Sequence, residues 1–225
     1  MTDSATAIGE RITRIRQELP SHVTLIAVSK SMPVEDIRQA YAAGVRDFGE
    51  SRIQEAITKQ ANLQDLSDIT WHFLGHLQGN KANAALDRFD WIHSVDRLDL
   101  AQRLDRLAAA RSQSPALCLQ VKLWDDPSKF GWSLADLTAD LPELLRCQSL
   151  NIRGLMTILP MGLTEQQSLE VFQQTKELAG QLEQQTQGAW QLPILSMGMS
   201  NDYRLAIQAG ATMVRLGRSI FGDLN

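Results

Sequence analysis

The chain has 225 residues, enough for one large α/β domain or two small ones with a substantial buried core. Its composition, 44% hydrophobic and 21% charged, excludes a disordered or fibrous protein. A formal charge of -4 argues against a general nucleic-acid binder, so no nucleic-acid partner is expected, although a local basic pocket could still hold a small anion.

The amino-terminal segment carries charged residues from Asp3 to Arg16, so it lacks the continuous apolar region of a secretory signal. No apolar run is long enough to cross a bilayer, so we expect a cytoplasmic protein with no membrane partner. Cys118 and Cys147 have no metal-ligand spacing around them. Both are expected to be buried free thiols in a reducing compartment, and no metal site is expected.

Eight β-rich segments recur along the chain, and stretches with helical periodicity separate nearly all of them. The predicted strands are 23–30, 45–49, 71–75, 91–95, 116–122, 153–158, 193–197 and 213–216. The predicted helices are 33–43, 51–65, 80–88, 97–111, 134–147, 164–186 and 201–209, preceded by an extra amino-terminal helix at 1–20.

This alternation favours an α/β fold in which eight parallel strands close into a (β/α)8 TIM barrel. The main alternative is a doubly wound open sheet. No Pro/Gly/Ser-rich linker interrupts the chain, so residues 1–225 are expected to form a single domain, with the helix at 1–20 covering the bottom or the flank of the barrel. Functional residues of such barrels collect at the carboxyl ends of the strands.

Lys30 closes the first predicted strand, at that functional end of the barrel. Burial there would disfavour the charged ammonium and leave a nucleophilic amine, which forms a Schiff base with a carbonyl compound. The plainer alternative is a lysine that emerges into solvent where its strand ends.

The segment that follows the seventh strand has features of a phosphate site. Ser200 or Asn201 is expected to cap the next helix, and Gly198 would allow the backbone to approach a ligand closely. An ordinary helix-capping turn would have the same sequence.

The segment after the eighth strand adds a glycine, Gly217, between two arginines, Arg215 and Arg218. Loops after strands seven and eight form the recurrent phosphate site of this fold. A reactive amine and a phosphate cradle across one barrel mouth indicate a ligand with a carbonyl and a phosphate. Pyridoxal 5′-phosphate (PLP) fits this description, and so does the sugar phosphate substrate of a Schiff-base aldolase.

Seven short stretches of the chain resemble the pyridoxal phosphate homeostasis (YggS/PROSC) family. They are 27–30 (AVSK), 48–50 (FGE), 54–55 (QE), 71–81 (WHFLGHLQGNK), 154–156 (GLM), 196–202 (SMGMSND) and 215–222 (RLGRSIFG). The resemblance runs from about residue 8 to the carboxyl terminus, and the glutamine-rich composition suggests a cyanobacterial member. It implies a fold-type III barrel, like the amino-terminal domain of alanine racemase, with PLP as cofactor.

The resemblance also implies the site residues. Lys30 matches the lysine that holds PLP as an internal aldimine, and Arg215 matches the arginine that faces the pyridine nitrogen. Ser200, with the backbone around Gly217 and Arg218, matches the phosphate site. The full implied cofactor-binding set is Lys30, Met197, Gly198, Ser200, Arg215, Gly217 and Arg218.

The chain departs from the family pattern at two places. Ser51 stands where many relatives have an asparagine, so that asparagine's contact cannot be carried over. The loop before Lys129 lacks the usual Asn and Glu pattern, so Lys129 is carried only as a second candidate lysine near the pocket, with a solvated loop charge as its alternative. His76 is expected to support the pocket rather than to act as a catalyst.

The same residues argue for a carrier rather than an enzyme. A permanently charged arginine opposite the pyridine nitrogen keeps that nitrogen unprotonated and weakens the ring as an electron sink. The chain continues only nine residues past Leu216, so the β domain that supplies a tyrosine to racemases is not expected, and neither Tyr41 nor Tyr203 stands out as a proton donor.

We therefore expect a monomeric PLP carrier or buffer in vitamin B6 and amino-acid homeostasis, without robust catalysis. PLP-dependent apo-enzymes are the expected recipients of the cofactor. The alternative is a PLP-dependent amino-acid racemase of low activity.

Overall fold

The computed structural model describes residues 2–126 and 129–222. Eight parallel strands close into a barrel in chain order, which confirms the (β/α)8 prediction and excludes the doubly wound sheet. The strands are β1 Thr24–Val28, β2 Asp47–Glu50, β3 Thr70–Phe73, β4 Trp91–Val95, β5 Ala116–Val121, β6 Asn151–Thr157, β7 Ile194–Ser196 and β8 Met213–Leu216.

Helices follow the strands around the outside of the barrel. They are α1 Thr2–Glu18, α2 Val34–Ala42, α3 Ile53–Asn62, α4 Ala82–Arg88, α5 Leu98–Ala108, α6 Leu134–Leu144, α7 Glu165–Gln185, α8 Tyr203–Ala209 and α9 Arg218–Phe221, with a 3-10 turn at Gly79–Lys81. Within the described ranges, none of these helices combines the length and the apolar character needed to traverse a bilayer.

The extra amino-terminal helix is present as α1 and covers the flank of the barrel. Ile8, Ile12 and Ile15 recur at helical spacing and are buried in the apolar core. The guanidinium of Arg11 donates to the carbonyl oxygen of Ile220, so α1 is also tied to α9.

The barrel closes through β1, which pairs with both β2 and β8. Ile26 lies opposite Asp47 on one side and opposite Arg215 on the other. Because neighbouring residues of a strand point to opposite faces, Arg215 points into the barrel while Val214 and Leu216 pack outward in the apolar layer beneath the helices.

The same alternation makes the interior of this barrel polar. His72 lies between Trp71 and Phe73, which belong to the outer apolar layer. His72 and Arg215 are therefore directed inward from different strands, and both are buried. The barrel interior holds charged and imidazole groups, and such groups need hydrogen-bond partners when buried.

Two local predictions at the functional end are wrong. The sequence predicts a glycine-containing loop after the eighth strand, but residues 218–221 of this segment form a helical turn, α9. It also predicts that Ser200 or Asn201 caps the helix after β7. Helix α8 instead begins at Tyr203, because Asp202 accepts a hydrogen bond from the Met199 N–H at 2.6 Å and closes a turn ahead of the helix.

Candidate functional site

A cavity of about 580 Å³ opens at the carboxyl ends of the strands. Its wall is formed by the end of β1, by the segments that follow β2, β3, β6 and β7, and by residues within and after β8. A volume of this size suits a small organic ligand. Of the seven predicted cofactor-binding residues, the wall includes five: Lys30, Ser200, Arg215, Gly217 and Arg218.

Lys30 lies in a turn two residues beyond the end of β1, and its side chain is exposed. The expectation of a lysine buried by its strand is therefore wrong. The chain turns here because the Met32 N–H bonds to the Ser29 carbonyl at 3.0 Å and Ser31 has a left-handed backbone, with φ 62°. The alternative, a lysine emerging at the strand end, describes its position, and its side chain still borders the cavity.

The buried lysine at this end of the barrel is Lys59, on α3. Its Nζ donates to the Ser29 carbonyl oxygen at 2.6 Å. It also donates to Glu50 Oε1 at 2.8 Å and to Glu55 Oε1 at 2.7 Å. Three acceptors satisfy all three ammonium protons, as a buried lysine requires.

These carboxylates hold the turn that presents Lys30. The Ser29 hydroxyl donates to Glu50 Oε1 at 2.6 Å, and the Ser31 N–H donates to Glu55 Oε1 at 2.5 Å. Burial raises the pKa of the Glu50 carboxyl, while its hydrogen bonds from Lys59 and Ser29 act in the opposite direction. Both neighbours of Lys30 are thus anchored to one buried ionic cluster.

Sequence reasoning missed this cluster, although one signal pointed to it. Glu55 and Lys59 stand four residues apart on a predicted helix, the spacing at which opposite charges meet. That spacing is also typical of an exposed ion pair. Only the fold shows that Glu50, at the end of β2, faces the same ammonium from a fully buried position.

The two segments predicted to hold a phosphate lie side by side. Ser200 Oγ accepts a hydrogen bond from the Ser219 N–H at 3.3 Å, and Asn201 Oδ1 accepts one from the Arg218 guanidinium at 3.4 Å. These contacts join the turn after β7 to the start of α9. Gly217 lies against β1, where an added Cβ would stand 3.4 Å from the Val28 carbonyl oxygen.

Met197 and Gly198 are not part of the cavity wall. Met197 is fully buried in the apolar core. Gly198 has φ +92°, and an added Cβ would stand 2.6 Å from the Cβ of Ala206 and 2.9 Å from the Cα of Tyr203. This position requires glycine because β7 turns closely against α8.

Arg215 supplies a cation at the floor of the cavity. Its NH1 donates to the Ser196 carbonyl at 2.5 Å and to the Ser196 hydroxyl at 2.8 Å, and its NH2 donates to the Thr157 carbonyl at 2.8 Å. Burial lowers the pKa of Arg215 to about 10, against the opposing effect of the Asp202 carboxylate. The guanidinium therefore stays charged at neutral pH and serves as a fixed hydrogen-bond donor.

His76 and Lys129 lie outside the cavity wall. His76 Nδ1 bonds to Asp96 Oδ2 at 2.9 Å, and its ring stacks on Phe130 with 3.7 Å between the ring centroids. The loops after β3 and β5 thereby meet at the rim. Both cysteines are buried and free, as expected; burial raises the pKa of the Cys118 thiol to about 12.

Comparison with known proteins places this geometry in a family. Residues 4–225 match the family model described as alanine racemase, N-terminal domain. A protein of Synechocystis sp. named pyridoxal phosphate homeostasis protein is 49% identical over 205 residues, which cover 91% of this chain and 93% of the relative. One of the same name from Pseudomonas aeruginosa is 40% identical over 228 residues, covering 99% of this chain and 96% of the relative.

Solved structures agree with these sequence relatives. PipY of Synechococcus elongatus PCC7942, solved without PLP, superposes with a TM-score of 0.91 at 55% identity, over 96% of this chain and 100% of that chain. The same protein solved with PLP bound gives 0.91 at 54% identity, over the same shares. Alanine racemase of Clostridium difficile, 13% identical over 97% of this chain and 57% of that chain, has a TM-score of 0.77 and shares the fold.

We expected a barrel like the amino-terminal domain of alanine racemase, and both the family model and the solved structures confirm it. The chain belongs to the pyridoxal phosphate homeostasis protein family.

Proposed function

We propose that the chain, acting as a single barrel domain, binds pyridoxal 5′-phosphate in the cavity at the carboxyl ends of its strands and acts as a PLP carrier or buffer. The observation that carries the proposal is the convergence of Lys30, Ser200 and Arg215 on one cavity. These residues come from β8 and from the segments after β1 and β7. PipY, a structural relative, has been solved with PLP bound.

The residues present fit this cofactor. An aldehyde such as PLP forms a Schiff base with an amine and releases one water, and Lys30 supplies the only lysine amine among the described residues of the wall. Arg218 and the backbone around Gly217 would hold the phosphate together with the Ser200 hydroxyl. Arg215 would donate to the ring nitrogen from the buried floor.

The position of Lys30 suits a protein that loads and releases its ligand. Its side chain is exposed at the cavity edge, so a ligand from solvent reaches the amine without a rearrangement of the barrel. The turn that carries it is nevertheless fixed by the Glu50, Glu55 and Lys59 cluster. A fixed, accessible amine is what reversible capture of an aldehyde needs.

The tyrosines favour the carrier over the alternative, a low-activity amino-acid racemase. The Tyr203 hydroxyl donates to Glu18 at 2.5 Å, and the Tyr41 hydroxyl donates to Asp68. Both hydroxyls are bonded away from the cavity, so neither tyrosine stands ready as the second acid–base group of a racemase. We further propose a monomeric, cytoplasmic protein that delivers PLP to PLP-dependent apo-enzymes.

The test is the visible absorption of the purified chain after PLP loading and removal of free ligand. The wild type is expected to be yellow, Lys30→Ala colourless, and a control at an exposed lysine of α7, Lys176→Ala, yellow. A wild type that takes up no PLP would refute the binding proposal. Racemisation of D- or L-amino acids by the loaded wild type, lost in Lys30→Ala, would refute the carrier and establish the racemase.

A further inference from the structure

A chain of hydrogen bonds crosses the polar interior of the barrel and ends on Arg215. Asp47 Oδ1 lies 3.1 Å from His72 Nε2, and His72 Nδ1 lies 2.9 Å from His93 Nε2. His93 Nδ1 lies 2.8 Å from Ser196 Oγ, which accepts from the Arg215 guanidinium at 2.8 Å. Both imidazoles and the serine are fully buried. Five side chains from β2, β3, β4, β7 and β8 are linked in one row.

The two ends of the row set its direction. An ionised Asp47 only accepts, so His72 Nε2 carries a proton and His72 Nδ1 accepts. His93 Nε2 then donates and His93 Nδ1 accepts the hydroxyl proton of Ser196. That hydroxyl oxygen receives the Arg215 N–H, so every donor points from the guanidinium toward the carboxylate.

Hydrogen bonds that ran the other way, from Asp47 toward Arg215, would be costly. This direction needs a proton on each of the two nitrogens of the buried His72, and it directs the His93 proton at Ser196 Oγ, which already accepts from Arg215. The serine proton would then need a further acceptor in a buried site. Burial, with the nearby charge of Arg215, lowers the pKa of His93 well below its usual value, in agreement with a neutral ring.

We propose that Asp47, His72, His93 and Ser196 are positioning residues that fix the orientation and the donor character of Arg215. Asp47 is the first residue of β2, at the amino-terminal end of the barrel, and lies outside the cavity wall. Its carboxylate ends a row of four hydrogen bonds that begins at the guanidinium, without pairing directly with it. Arg215 is therefore held as a fixed N–H donor toward the cavity, which selects a ligand with an unprotonated acceptor, such as a pyridine nitrogen, at that place.

The inference rests on the proposed function only for its cofactor measurement. The first measurement uses the ligand-free chain with ¹⁵N-labelled histidine, in which NMR correlations to the ring nitrogens distinguish protonated from unprotonated Nδ1 and Nε2. We expect His72 and His93 to be neutral and protonated at Nε2 alone. A proton on Nδ1 of either ring would overturn the proposed direction of the hydrogen bonds in the row. This result would count even if the wild type failed to take up PLP.

The second measurement compares PLP-loaded variants. Asp47→Asn removes the charge that sets the direction, so we expect some Nδ1 protonation of His93 and a shifted visible absorbance, although residue 47 lies outside the cavity wall. The matched control is Asp90→Asn, at the same end of the barrel, where the carboxylate accepts from the Trp71 N–H at 2.7 Å. Unchanged ring protonation and absorbance in Asp47→Asn would overturn the proposal.

Ser196→Ala removes one oxygen and breaks the row next to Arg215. If Asp47→Asn fails to fold, this variant tests whether the row positions Arg215. We expect PLP to be lost about five- to tenfold faster on dialysis, the effect of losing one typical hydrogen bond. If Ser196→Ala kept PLP as long as the wild type does and had the same visible absorbance, the proposed positioning of Arg215 by the row would be contradicted.

Discussion

Replacing the buried Lys59 by methionine tests the cluster that holds the Lys30 turn. The Lys59 side chain is 7% exposed and that of its partner Glu50 is fully buried. Lys59→Met fills a similar volume but removes the ammonium that three acceptors share. The change leaves the Glu50 carboxylate buried without its cation.

Removing one partner of a buried ion pair costs about 3–5 kcal/mol of unfolding free energy. Replacing both charged groups costs much less, because no buried charge is left without a partner. The double variant Lys59→Met with Glu50→Gln is therefore expected to be more stable than Lys59→Met alone by about 2 kcal/mol or more.

The loss of stability in Lys59→Met depends on pH in one predicted direction. Burial already raises the pKa of Glu50 above its unfolded value, and loss of Lys59 raises it further. The folded variant then binds a proton that the unfolded chain releases, so the loss of stability in Lys59→Met is smaller at about pH 5 than at about pH 8.

Urea unfolding followed by circular dichroism at several pH values measures these differences, with Lys176→Met, at an exposed lysine of α7, as control. A loss below about 1 kcal/mol for Lys59→Met, or a loss that grows as the pH falls, would refute the account of a buried, paired cluster.

Three further outcomes follow from the geometry. Gly198→Ala should lower the free energy of unfolding in urea by about 2–4 kcal/mol, because φ is +92° and the new Cβ would stand 2.6 Å from the Ala206 Cβ of α8. The control Gly180→Ala, inside α7 with open space around it, should be neutral or stabilising. Because burial lowers the pKa of His93 below 6.5, its protonation in the unfolded chain removes up to about 1.4 kcal/mol of stability per pH unit below that value. His93→Gln should lose this slope, while His22→Gln, at an exposed histidine, should keep it. Arg215→Glu should shift the absorbance of bound PLP with the phosphate contacts retained; loss of all cofactor would count against the role of the arginine.

The fold was predictable because its signals are local and repeated. Strands β4 and β8 match their predicted bounds, and Gly210 ends helix α8. The barrel mouth was predictable as the candidate site because chemistry-bearing residues lie at or after the ends of strands one, seven and eight. The end of β1 was not predictable, because the apolar run reaches Ser29 and Lys30 without a residue that marks a strand end. The strand ends at Val28, and a turn bonded to α3 leaves the Lys30 side chain exposed.

The polar interior could not be predicted for a different reason. His93 and Ser196 are 103 residues apart, and neither has a local pattern that predicts a hydrogen bond between them. Buried histidines in strands give the same alternation as any inward-facing residue. Their partners depend on barrel closure and register, which bring β4 opposite β7 only in three dimensions.

Chemical mapping of the bound cofactor tests the central claim most directly. The PLP-loaded chain is reduced with borohydride, digested and analysed by mass spectrometry for the lysine that carries the phosphopyridoxyl group. We expect a single modified site at Lys30 among the six lysines of the chain. Modification of Lys59 or Lys129 in place of Lys30, or no modified peptide from a yellow protein, would contradict the account.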